Sequence, residues 1–152
     1  MPPEEHETDP LFEEALGHIQ KREWGRAQRA LEQYVRGDSL REATQYLAEV
    51  RAVRRCLRQI EKWPRDASLH LELGRLCFGL ELGDVALEAL SRAVALKPDL
   101  AVAYHLLALE YLYRGNKAAA RKECERAHAL DVSLPSFSEL EGQMQRIESA
   151  AS

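Results

Sequence analysis

Residues 73–96 read LGRLCFGLELGDVALEALSRAVAL, and residues 107–130 read LALEYLYRGNKAAARKECERAHAL. At a shift of 34, Leu73 falls on Leu107, Gly74 on Ala108, Cys77 on Tyr111, Ala86 on Ala120, Leu90 on Cys124, Ala93 on Ala127 and Leu96 on Leu130. Apolar meets apolar and small meets small, and self-similarity at one such period marks an array of repeated supersecondary units. Alanine has the best helix propensity but brings almost no side chain to a core. Its recurrence at matching positions therefore points to helices whose backbones approach closely.

Each unit reads as two amphipathic helices, 67–80 with 84–97 and 100–114 with 117–130. Gly83-Asp84 and Gly115-Asn116 separate them, the glycine expected in a left-handed position after one helix and the Asp or Asn capping the next. On this reading the earlier unit places its turn two residues late. Pro98-Asp99 stops the first unit and caps the helix after it.

The surrounding chain extends this pattern less regularly. Near the N-terminus, REWGRAQRALEQY (22–34) resembles another second helix, with Trp24, Ala27 and Leu31 corresponding to Lys117, Ala120 and Cys124. Its first helix is expected from the Asp9 cap and Pro10 to about Arg22. Glu14, Tyr34 and Arg22-Glu23 depart from the unit, so this pair is degenerate. Between the pairs, Ser39 and Glu42 form a capping box. Leu40, Ala43, Leu47, Val50, Val53, Leu57 and Ile60 then recur every three or four residues. One long helix over 40–62, ended by Pro64, is the simplest reading; a break near Ala48 would make a third pair, and both readings stay open. At the far end Pro135 precedes a second box, Ser136 to Glu139, and Phe137, Leu140, Met144 and Ile147 form one apolar stripe suited to a terminal capping helix. The organisation expected is a disordered tail over 1–8, a degenerate pair plus long helix over 9–66, two repeat units over 67–134 and a capping helix over 135–149.

Composition agrees with an all-helical chain. Of 152 residues 45% are hydrophobic and 30% charged, enough for one domain or a short array with a real core. The formal charge of −4 is unevenly spread, since residues 21–65 carry twelve Lys/Arg against six Asp/Glu, a local +6 that leaves −10 elsewhere. Cys56, Cys77 and Cys124 are odd in number and far apart, which indicates neither a disulfide framework nor a zinc site. MPPEEHETD at the start is acidic and polar, unlike a secretory signal, and no apolar run reaches membrane-spanning length. A cytoplasmic protein without membrane insertion is expected.

The 34-residue pattern resembles the tetratricopeptide repeat. That family's signature appears as Tyr104, Leu107-Ala108, Tyr111, Ala120, Cys124 and Ala127, and in the preceding unit as His70, Leu73-Gly74, Cys77, Ala86, Leu90, Ala93 and Pro98. Val132 stands where a closing Pro is expected. The resemblance implies a right-handed superhelical array of antiparallel helix pairs, an α-solenoid. Size, layout and the segment SLPSFSELEGQMQRIESA add a likeness to the short bacterial chaperones of type III secretion.

Nothing in the sequence suggests catalysis. His6, His18, His70, His105 and His128 form no ligand pattern, and there is no phosphate-binding glycine loop. Cys77 and Cys124 sit at core positions. Cys56 follows Arg54-Arg55, which could lower its pKa, but a half-buried structural thiol is the default. No cofactor or metal is indicated and no enzyme is expected.

Surface recognition remains. In the family the first helix of each unit lines a groove, and the resemblance places Leu71, Arg75, Phe78, Val102, His105, Leu109, Leu112 and Tyr113 there, beside Ser68 and Gly79. Leu71 and Leu106 occupy two sites where members that grip chaperone tails carry polar clamp residues, so that clamp is incomplete. An apolar groove with a few polar groups suits a segment with hydrophobic anchors; packing of these residues against the protein's own helices is the alternative. A second surface is the stripe Arg51, Arg54, Arg55, Arg58 and Lys62, continued by Arg65. It reads as a solvated face or a dock for an acidic protein, and without interleaved aromatics it does not suggest nucleic acid. The expected function is a non-catalytic adaptor or chaperone-like scaffold that binds a peptide segment. The alternative is a structural module that self-assembles, as a homodimer for instance, through helix 40–62.

Overall fold

The computed structural model describes residues 9–37 and 41–151, and every regular element among them is a helix. They are α1 (Pro10–Gln20), α2 (Trp24–Gly37), α3 (Arg41–Lys62), α4 (Ala67–Gly79), α5 (Gly83–Leu96), α6 (Ala101–Tyr113), α7 (Lys117–Leu130) and α8 (Phe137–Ala151). α3 runs without a break at Ala48, so it is one long helix and not a third pair. The chain forms two compact units that divide between Gln59 and Ile60, in the last turn of α3. The tail 1–8 and the capping box Ser39–Glu42 lie outside the residues whose side chains are described.

In the first unit Asp9 caps α1, its carboxylate accepting from the Leu11 N–H at 2.8 Å, and Pro10 takes the first helical position where its missing donor costs nothing. α1 packs on α2, and Ala15, Ile19, Ala27 and Leu31 of this pair are almost fully buried. Tyr34, which replaces the repeat's alanine, is buried and stacks on Phe12 with centroids 5.3 Å apart, while Tyr46 of α3 meets the same ring edge-on at 5.8 Å. This aromatic cluster fills the space that the missing alanine would have closed.

The second unit repeats one hairpin twice and then closes. α4 packs on α5, α6 on α7, α5 on α6, and α8 covers α7. The alanine seams are as the 34-residue register requires: Ala86, Ala93, Ala108, Ala120 and Ala127 are completely buried. One core cluster joins Leu90, Ala103, Tyr104, Leu107 and Ala127; a second joins Ala108, Ala120 and Cys124 to Phe137 and Leu140 of α8. Gly74 marks a very close approach, for a Cβ there would lie 2.6 Å from Cγ and Cδ2 of Leu90. The second capping box forms, Ser136 N–H donating to Glu139 at 2.7 Å. Lys117 ties α7 to α8 through Glu141 at 3.0 Å, and only the start of the apolar stripe is used, Ile147 being exposed.

The turns correct one expectation. Gly115 is left-handed, φ +75, and Asn116 caps α7 by accepting from the Ala119 N–H, but Gly83 is not left-handed and instead begins α5. Glu81 holds that conformation in the earlier unit, φ +59, and Arg22 holds it between α1 and α2, φ +60. Glu81 and Gly115 are separated by the repeat period, so the earlier turn is not late. All three turns close with the same pair of bonds, from one N–H three residues back and from the next five residues back. They are Arg22 to Ile19 with Glu23 to His18, Glu81 to Phe78 with Leu82 to Cys77, and Gly115 to Leu112 with Asn116 to Tyr111. This is the Schellman arrangement, which satisfies the last carbonyls of a helix only if the residue after it turns left-handed.

Candidate functional site

The groove candidates lie on α4 and α6 of the second unit, two helices in direct contact. They divide by exposure. Val102 and Tyr113 are exposed hydrophobics, 46% and 66% accessible, whereas Phe78, Leu71, His105, Leu109 and Leu112 are half-buried. Leu71 leans on the Tyr104 cluster, as does Leu106, and Leu109 and Leu112 lean on the cluster beneath α8. These leucines thus serve the core with one side and offer the other.

Arg75 is exposed but engaged, donating to both carboxylate oxygens of Glu72 at 3.0 and 2.6 Å. That bidentate bond raises the Arg75 pKa and holds Glu72 below the usual carboxylate range. His105 has its Nδ1 buried without a hydrogen-bond partner, and desolvation lowers its pKa, so the neutral ring is favoured.

At the turn end of these helices an open pocket of about 430 Å³ is lined by Phe78, Gly79, Glu81, Gly83, Glu110 and Tyr113. The Phe78 and Tyr113 rings stand 6.0 Å apart, tilted by 52°. Space above Gly79 is empty, since an added Cβ would meet nothing within 4 Å. The buried Glu110 carboxylate accepts from Arg114 Nε at 2.9 Å, and Arg114 also donates to Asp84 at 2.7 Å. Those two acids, Asp84 first, raise the Arg114 pKa. Sequence reasoning misses Glu81, Gly83 and Glu110 as site residues; the 34-residue register counted back from Gly115 is the signal that leads to Glu81.

The basic stripe is partly spent within the first unit. Arg51 pairs with Glu32 at 3.0 Å and Arg54 donates to Gln28 at 2.6 Å, both on α2, while among the described residues Arg55, Arg58 and Lys62 make no such bond to α2. A second pocket in that unit, about 370 Å³, is lined by Glu14, His18, Arg26, Arg29, Ala30 and Gln33. His18 there bonds Glu23 at 2.6 Å and Glu14 at 3.4 Å. His70, at the aromatic position of the repeat signature, is half-buried and bonds the Pro64 carbonyl at 2.8 Å.

Among the described residues no cysteine forms a disulfide, and all three are buried. Burial pushes the Cys124 thiol up, and its Sγ donates to the Pro135 carbonyl at 3.3 Å. Cys56 at 4% exposure lacks the access a reactive thiol needs. Among the described residues no group of His, Cys, Asp or Glu could hold a metal ion, and no helix is long and apolar enough to cross a membrane.

The helix pairs and their register define an all-α, tetratricopeptide-like helical repeat. Solved structures of MamA share this fold. One, a crystal structure of MamA, is 22% identical with a TM-score of 0.51, covering 76% of this chain and 72% of its own. A crystal structure of the MamA protein is also 22% identical with a TM-score of 0.52 over 79% and 70%. A third, MamA AMB-1, is 17% identical with a TM-score of 0.51 over 82% and 99%. No protein-family model matches the chain, and no curated protein does.

Proposed function

We propose that this protein is a cytoplasmic, non-catalytic interaction module that captures a protein segment on the α4/α6 face of its second unit. The observation that carries the reading is the open aromatic pocket at Phe78 and Tyr113, continuous along α6 with exposed Val102 and half-exposed His105 and Leu109. A monomer gains nothing from leaving Val102 and Tyr113 in water, and such surfaces suit hydrophobic anchors. His105 presents a neutral, half-buried ring to the segment, its Nδ1 turned inward. No cofactor takes part. Assembly through the long basic helix receives less support, because Arg51 and Arg54 already serve α2.

The test is a double substitution, Val102→Asp with Tyr113→Ala, at positions that contribute little to the core. Partners recovered with the wild-type chain should be lost while the circular dichroism and urea midpoint stay unchanged. Unaltered recovery would refute the reading.

A further inference from the structure

The pocket at the end of α4 and α6 has a charge that its aromatic walls alone do not reveal. Glu81 lines it, is exposed, and its carboxylate makes no hydrogen bond or ion pair among the described residues. Glu110 forms part of the lining, and behind it Arg114 pairs with both Glu110 and Asp84. The lining thus carries two carboxylates, Glu81 and Glu110, and no basic side chain, beside two aromatic rings. A negative site walled by aromatic rings is complementary to a cation, which gains both from the carboxylate and from the ring quadrupole. The open space above Gly79 admits the aliphatic stem of a long side chain between Phe78 and the solvent.

We propose that this pocket receives an arginine or lysine side chain of the captured protein segment, with Glu81 as its counter-ion and Tyr113 as its stacking face. The inference rests on the groove reading above and deepens it: the segment carries a cation near its apolar anchors. An acidic segment is disfavoured there by the same charge. Glu81 also bears a left-handed backbone where the next repeat has Gly115, so its side chain can be removed without harming the turn.

The experiment uses the full chain, labelled with ¹⁵N, and a short synthetic peptide with leucine anchors and a central arginine, compared with its citrulline and glutamate analogues. The arginine peptide should shift the amides of Phe78, Gly79, Glu81 and Tyr113, and citrulline should weaken it by about tenfold, the combined worth of an exposed cation–π contact and ion pair. Glu81→Gly should weaken the arginine peptide roughly threefold and leave the citrulline peptide unchanged, while raising stability, so unfolding cannot mimic the result. Tyr113→Leu should likewise narrow the gap between the two peptides. Equal binding of arginine and citrulline peptides along Val102 and Leu109 would overturn the cation assignment and leave groove capture standing. Absence of shifts with every peptide would overturn both. Self-association that Glu81→Gly abolishes would put the cation on a second copy of this chain and overturn its assignment to a foreign segment.

Discussion

The carboxylate of Glu110 lies against Gly83, in the space that a Cβ at that residue would fill. A glycine that looks like a turn signal is therefore a packing device. It lets a buried acid from α6 reach the start of α5, where Arg114 and Asp84 complete an ion network. Gly83→Ala should expel the carboxylate and cost roughly 1–2 kcal/mol, the worth of a hydrogen bond to a charged group less a small helix-propensity gain. A double-mutant cycle with Glu110→Ala checks the cause by urea denaturation: Gly83→Ala should cost much less once the carboxylate is gone.

Gly74 should resist the same change for a different reason. Its missing Cβ makes room for Leu90, a fully buried side chain that would have to shift within a packed core. Gly74→Ala should destabilise the protein by about 1–2 kcal/mol, overpacking outweighing the gain in helix propensity. Calorimetry on the single variant decides this.

The left-handed residues predict stabilisation. Arg22→Gly and Glu81→Gly should each add about 1 kcal/mol by removing the Cβ clash of a left-handed residue. A higher urea midpoint at unchanged slope is the expected result.

Acid should weaken the fold in two stages. Burial lowers the His105 pKa from 6.5, so the unfolded chain takes up the proton first. Its contribution is full above about 6.5 and is lost as pH falls through the lower folded value. Asp66, Asp131 and Glu139 are held below the usual carboxylate range, the first two chiefly by the hydroxyls of Ser68 and Ser133 and the third chiefly by the Ser136 N–H. Their contributions are present above the ordinary carboxylate values and disappear as pH falls through the lowered ones. His105→Phe should flatten the stability profile between about pH 5 and 7 without altering the acid limb.

Volume and period are legible in the chain itself, because alanine spacing encodes how closely helices pass; Ala86, Ala120 and Ala127 fall where the register puts them. The left-handed turn of the first repeat is not, because Glu81 is no residue type that announces such a conformation and Gly83 nearby is one that does. Which candidates face the solvent is also hidden. α6 is apolar nearly all round, AVAYHLLALEYLY, so periodicity cannot separate Leu107 in the core from Leu109 at its edge. Arg51 and Arg54 find partners 19 and 26 residues away, distances at which a single sequence carries no pairing signal.

Site-specific photocrosslinking tests capture at the α4/α6 face most directly. A photoreactive phenylalanine replacing Tyr113 should yield a discrete adduct with a partner protein in cells, whereas the same probe at exposed Arg92 of α5 should not. Adducts that are equal at the two positions, or absent from Tyr113, would contradict the account.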